Sequence, residues 1–164
     1  MKQSFITNTP EYEEYVTKDN DIISNNFTSD DVSKANLIIL QIDKTICGRM
    51  CYTPYYHVLD FIRKMLGNQL KVYVEIGVLF GGSMALMMQQ NSNGTYVGID
   101  LFDGYYSKQN PGSLNRDPIC GIPIDISIAK HNIDIWNKYD QKYYLIAGDS
   151  ISDKTIDNLD KILE

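Results

Sequence analysis

From residue 70 onward, short β-prone runs alternate with helical stretches at close spacing, and this alternation limits the fold more than any other feature of the chain. The first run, Leu70-Lys71-Val72-Tyr73-Val74-Glu75-Ile76, ends in a glycine-rich turn, Gly77-Val78-Leu79-Phe80-Gly81-Gly82-Ser83. A short helix is predicted from Ser83 to about Gln90, after which Asn93-Gly94 turns the chain into a second strand from Thr95 to Asp100. A Gly/Pro/Asn-rich loop occupies roughly residues 103–122. Pro123 suits the first turn of another helix, which places Ile124, Ile128, Ile135 and Tyr139 near one face. Lys142 to Ala147 reads as a third strand, followed by Gly148-Asp149-Ser150 and a last amphipathic helix. Strand–helix–strand order at this spacing predicts an α/β fold with a parallel sheet wound by right-handed crossovers.

The chain before residue 70 is organised differently. Residues 1–28 are polar and lack a sustained period, so they read as a loosely attached arm. Residues 29–69 read as a helical lead-in. Asp30 and Asp31 stand where a cap or first turn would be, Gly48 offers a stop, and Ile38, Ile42 and Ile46 recur at helical spacing. The run Leu37–Leu40 also fits a buried strand. A second helix is predicted from Pro54 to Leu66, with Val58, Phe61, Ile62 and Met65 on one face and Gly67 at its end. His57, at its start, reads as a half-exposed helix histidine rather than a ligand.

Charge and length narrow the partners. The 164 residues fit one domain, residues 70–164 being its α/β part. Net charge is −6 with no Lys/Arg cluster, which argues against nucleic acid as the main partner. No apolar run is long enough to span a bilayer, and Met1-Lys2-Gln3-Ser4-Phe5 lacks the apolar core of a signal peptide. Cys47, Cys51 and Cys120 are an odd number without zinc-like spacing, so the expectation is a reduced cytoplasmic compartment and no metal. Cys47 and Cys51, one helical turn apart, suit packing.

Three features fall at the predicted strand ends, where open α/β sheets bind ligands. The first is the run Glu75 to Ser83, whose glycines let the backbone turn tightly and approach a ligand, with helix N–H groups following. Glu75 at its mouth would repel a pyrophosphate and suits an ammonium group. The spacing is not the Gly-x-Gly-x-x-Gly dinucleotide fingerprint, so hydride chemistry falls behind. The second is Asp100, at the end of strand two, about 20 residues on, where an acid can accept from both ribose hydroxyls of a nucleoside. The third is Asp149, placed either to accept from an exocyclic amine such as adenine's or to cap the last helix. Together they describe a nucleoside with an amino-acid-like tail and no phosphates, a description that S-adenosylmethionine matches.

At these residues the chain resembles a known family. Val72 to Asp149 is similar to the first half of a class I S-adenosylmethionine-dependent methyltransferase, in the subgroup whose first motif reads Glu-Ile-Gly-x-x-x-Gly-Gly-Ser. Gly98-Ile99-Asp100-Leu101-Phe102-Asp103-Gly104-Tyr105-Tyr106 resembles that subgroup's second motif, and Asp117 to Pro123 resembles its Asp-Pro-x-x-Gly-x-Pro segment. The resemblance implies a Rossmann-like sheet with S-adenosylmethionine as cofactor. Glu75, Gly77, Gly81, Gly82 and Ser83 would surround the methionine part, Asp100 would hold the ribose, Leu101 and Phe102 would flank the adenine, and Asp149 would meet its amino group. Tyr105 and Tyr106 would lie beside the methyl site and line an acceptor pocket, the alternative being an aromatic loop packed on the sheet. The acidic charge favours a small-molecule or sugar acceptor, and no catalytic base is assigned; His131 is not one.

The family's core has seven strands and only three are legible here, so the expectation is an incomplete methyltransferase-type sheet. Three accounts follow from that: a truncated product, a half completed by a second chain or by self-association, or a catalytically inactive remnant with a structural or binding role. In each, the far edge of the first strand would lack a partner within this chain, and an apolar unpaired edge invites another chain.

Overall fold

A computed structural model describes residues 27–50, 55–90, 92–102, 115–117 and 119–164. The lead-in comprises α1 (Ser29–Thr45) and α2 (Tyr55–Leu66), followed by a single 3₁₀ turn (Gly67–Gln69). Then come β1 (Val72–Ile76), α3 (Gly82–Met87), β2 (Thr95–Asp100), α4 (Ile126–Trp136), β3 (Lys142–Ala147) and α5 (Asp153–Leu163). The three strands form one parallel sheet in the order β1-β2-β3, with Val74 beside Val97 and Asp100 beside Ala147. The predicted α/β architecture and the parallel pairing are therefore present. Among the described residues no helix is long and apolar enough to cross a membrane.

Alternation along the strands sends successive side chains to opposite faces of the sheet. One face carries Tyr73, Tyr96, Tyr143 and Leu145, packed beneath Leu59 and Leu66 of α2, Met84 and Met87 of α3, and Ala129 and Ile133 of α4. The opposite face carries Val97, Ile99, Tyr144 and Ile146 against Leu159 and Ile162 of α5. On that second face α5 reaches β2 and β3, while Val72, Val74 and Ile76 of β1 stay 45%, 38% and 70% exposed. Parallel sheets are ordinarily covered on both faces, so β1 presents an apolar strip that is unusual for its class.

The helices settle one open point and correct several expectations. Leu37–Leu40 lies inside α1, which buries Ala35, Ile39 and Ile42; Thr28 caps it by accepting from the Asp31 N–H at 3.2 Å. Cys47 lies beyond the end of α1 and is exposed rather than packed, and Cys51 lies outside the described residues. The α2 face predicted to be buried is only partly so: Val58 and Ile62 are half-buried, while Phe61 and Met65 are exposed. The reason is a buried polar cluster. Asp60 is ion-paired to Arg63 and to Lys64, and Arg63 donates to the Gln89 carbonyl just beyond α3 (2.9 Å), which holds Asp60 and Arg63 inward. His57 on the same helix is half-buried, with Nε2 2.9 Å from the Asn36 Oδ1.

α4 begins later than Pro123 predicts. Pro123 pairs with Arg116 in an isolated bridge, and Asp125 caps the helix by accepting from the Ser127 N–H at 2.7 Å. Its buried positions are Ala129, Asn132, Ile133 and Trp136, leaving Ile135 and Tyr139 exposed. Asn132 explains this rotation. Its Nδ2 donates to the Cys47 and Phe80 carbonyls at 2.8 and 2.9 Å, and its Oδ1 accepts from the Cys47 N–H at 2.8 Å. One buried amide thus ties the end of the lead-in, the glycine-rich turn and α4 together. Arg49 adds a second tie, donating through Nε and Nη2 to the two oxygens of buried Asp117 at 2.9 and 2.8 Å.

Replacing Asn132 by Leu would leave three backbone groups unpaired in the core, at about 1–3 kcal/mol for each that finds no water. The Asn132→Leu protein is expected to lose about 2–4 kcal/mol of stability in urea unfolding. A midpoint unchanged from the parent would contradict the tie.

Candidate functional site

β1 and β2 end side by side, so the backbone after each strand begins at the same edge of the sheet. The Gly77 N–H donates to the Ile99 carbonyl at 2.8 Å, carrying the ladder one step past β1. Beyond it the chain must turn sharply, and Gly77 has φ +86°, the left-handed region that glycine enters without steric penalty. Among the described residues a Cβ built on Gly77 meets nothing within 4 Å, so open space lies beside this backbone. Gly81 also has a positive φ, +79°, but a Cβ there would lie 2.8 Å from Ile133 Cγ1. Gly82 is likewise closed off, by Met50 Cγ at 2.8 Å. Of the three glycines predicted to surround a ligand, only Gly77 borders open space; Gly81 and Gly82 admit α4 and the lead-in.

Asp100 ends β2 and holds both turns. Its Oδ2 accepts from the Leu79 N–H at 2.8 Å and its Oδ1 from the Phe102 N–H at 3.0 Å. Leu79 and Phe102 have φ +51° and +49°, a conformation that costs a residue with a side chain roughly 1–2 kcal/mol. The carboxylate offsets that strain with two charge-assisted hydrogen bonds. Each oxygen retains room to accept a second hydrogen bond, and the residue is half-buried.

Glu75 points to the face of the sheet covered by α2, α3 and α4. Its Oε1 accepts from Ser83 Oγ at 2.9 Å and its Oε2 from the Tyr73 hydroxyl at 2.6 Å. The residue is half-buried. Burial pushes its carboxyl up to about 7, and the Asp100 charge pushes the same way, while the Tyr73 and Ser83 hydroxyls pull it down. Tyr73 is pushed up in turn, by burial first and then by Glu75. Among the described residues neither oxygen of Glu75 has a cationic partner. Sequence reasoning missed Tyr73; the signal was present, since residues two apart on a strand share a face.

The remaining predicted residues separate. Leu101 is half-buried, whereas Phe102 is 5% exposed and belongs to the core with Met84 and Ile133. Asp149 is exposed beyond β3, next but one to Ala147, the register neighbour of Asp100. Its Oδ1 accepts from the Ile151 N–H at 3.1 Å, and the cap of α5 is Ser152, so the capping role belongs to the serine. Tyr105 and Tyr106 lie outside the described residues. No group of three or more His, Cys, Asp or Glu side chains is placed to hold a metal ion among the described residues.

Comparison with protein-family models, with curated proteins and with solved structures returned no match. The functional reading therefore stands on these residues and their geometry.

Two outcomes follow. Gly77→Ala is expected to cost about 1–2 kcal/mol, the backbone strain alone, whereas Gly81→Ala adds a clash with Ile133 and costs more. Thermal unfolding of the two variants checks that order. The second concerns pH. A carboxyl raised in the folded state binds more protons than in the unfolded chain between about 4.5 and 7, so its contribution is full below 4.5 and is lost as pH rises through 7. Unfolding free energy is expected to fall across that window by up to about 1.4 kcal/mol per pH unit from this group, and Glu75→Gln is expected to flatten the fall.

Proposed function

We propose that this chain is the cofactor-binding part of a class I S-adenosylmethionine-dependent methyltransferase acting on a small-molecule or sugar acceptor. One observation carries the reading: Glu75 and Asp100, two carboxylates on neighbouring parallel strands, flank the open backbone at Gly77. A half-buried carboxyl group with two hydroxyl donors and, among the described residues, no cationic partner suits an ammonium group. Asp100, anchored by backbone N–H groups, presents its remaining lone pairs in a fixed orientation suited to a diol. Asp149, exposed at the same edge, has an oxygen available for an exocyclic amine.

When bound, the cofactor's sulfonium supplies a methyl group that is transferable without further activation. What the chain contributes is placement. Glu75 and Asp100 fix the two ends of the ligand, Gly77 lets the backbone come close, and Leu101 offers a half-buried apolar contact. Such positioning converts an encounter into an oriented approach.

A second reading is a structural or binding module without catalysis. Asp100 favours it, because the carboxylate already has a structural task in holding Leu79 and Phe102. The uncovered strip on β1 fits either reading, and we propose that a further segment or a second copy covers it. Neither reading calls for a nucleic acid or a membrane, and both place the chain in the cytoplasm.

Titration calorimetry with S-adenosylmethionine separates the two. Binding by the folded chain, lost in Asp100→Ala and weakened in Asp149→Ala, is the expected result. No heat from well-folded protein, or binding indifferent to Asp100→Ala, would contradict the cofactor reading.

A further inference from the structure

One edge of the sheet is open and has a pattern that matches itself. We propose that β1 is the contact between two copies of this chain, paired antiparallel about a two-fold axis at Val74. The inference goes beyond the cofactor reading and does not depend on it.

The backbone decides which polar groups are free. The Lys71 carbonyl accepts from the Thr95 N–H and the Gly77 N–H donates to the Ile99 carbonyl, both at 2.8 Å, so both residues turn toward β2. Successive residues of a strand direct their N–H and C=O groups to opposite sides, hence Tyr73 and Glu75 also face β2, while Val72, Val74 and Ile76 face away. Among the described residues β2 is the one neighbour of β1. Val72, Val74 and Ile76 therefore offer donors and acceptors at an unpaired edge, and the same three residues carry the exposed apolar side chains of β1. The strand contains no proline, and its charged residue, Glu75, is engaged on the other face with Tyr73 and Ser83. Edges that stay single ordinarily carry charges or proline as guards. β3, at the opposite edge, is guarded: exposed Lys142 opens it, and its Tyr143 is tied to Lys130 and Asp134.

Self-pairing selects one register. Antiparallel pairs that exchange both hydrogen bonds join outward-facing residues, here Val72, Val74 and Ile76. Centred on Val74, the pairing sets Val72 opposite the partner's Ile76 and Val74 opposite the partner's Val74. Every pair on the exposed face is then apolar, and on the other face Tyr73 lies opposite the partner's Glu75. Centring on Glu75 would set two carboxylates against each other. Centring on Tyr73 would set Ile76 opposite Leu70, which lies before β1 with its side chain in the core. A two-fold axis normal to the sheet keeps the same face of both copies on one side, so the contact closes at two chains. One strand of five residues makes a small interface, and such contacts exchange on dilution.

Sedimentation equilibrium of the whole chain over a dilution series reads the assembly. The expected result is a reversible shift between 18.7 kDa and twice that mass. Val74→Lys sets like charges opposite each other at an exposed position and is expected to weaken the dimer several-fold with unchanged circular dichroism. Cysteine cross-linking checks the register. After mild oxidation, Val74→Cys is expected to give a 74–74 disulfide in peptide mass spectrometry, and Val72→Cys, opposite Ile76, no 72–72 product. A single-chain mass up to about 1 mM overturns the inference and leaves the strip to another segment or another protein. A dimer indifferent to Val74→Lys, growth beyond two chains, or cross-linking at 72 as readily as at 74 overturns it as well.

Discussion

Asp100 joins two turns that would otherwise be strained and independent. Its two oxygens accept from Leu79 after β1 and from Phe102 after β2, both in the left-handed region. The turn after β1 leads into α3, and Phe102 anchors the segment after β2 in the core beneath α3 and α4. Removing the carboxylate would release both turns together. The strand ends are therefore organised around one side chain, and a residue proposed to hold a ligand is also the one that shapes its surroundings. Backbone strain of this sort persists only where neighbouring structure over-determines it, and it is characteristic of functional loops.

The lead-in is tied to this arrangement by polar groups as much as by apolar packing. Ala35, Ile39, Ile42, Ile46 and Met50 share a core cluster with Phe80, Ala85, Leu86 and Trp136, so α1 and the segment after it are part of the same interior as the sheet's helices. Within that interior Asn132 links Cys47 to Phe80, and Arg49 reaches buried Asp117. Buried polar groups are costly when half satisfied, and these are matched to specific backbone atoms. They determine how the segment from Ile46 to Met50 sits against Phe80 and Gly82, while the Gly77 side stays open among the described residues.

Much of the architecture was legible in the residues, because parallel strands announce themselves by short β-branched runs between helices. Thr95–Asp100 and Lys142–Ala147 form strands at the predicted bounds, and β1 begins two residues later than the apolar run. What periodicity misjudged were helix faces. Phe61, Met65, Ile135 and Tyr139 look like core by spacing, yet each is exposed, because Asp60, Arg63 and Asn132 occupy the inward positions. A polar side chain satisfied by a distant backbone atom leaves no local trace in sequence, so no window along the chain could reveal it. The site divides in the same way. Glu75, Gly77 and Asp100 converge because their positions at strand ends follow from the alternation itself. Gly81, Gly82 and Phe102 serve packing, and that distinction depends on Ile133 and Met50, which only the tertiary structure brings alongside.

The central claim is that the edge formed by the ends of β1, β2 and β3 is a nucleoside-binding site. Amide chemical-shift mapping during titration with S-adenosylmethionine tests it most directly. The account predicts saturable shifts concentrated at Gly77, Leu79, Asp100, Leu101 and Asp149, with α1 and the outer face of α2 unmoved. Shifts that never saturate, or that centre on α1 and α2 instead, would contradict it.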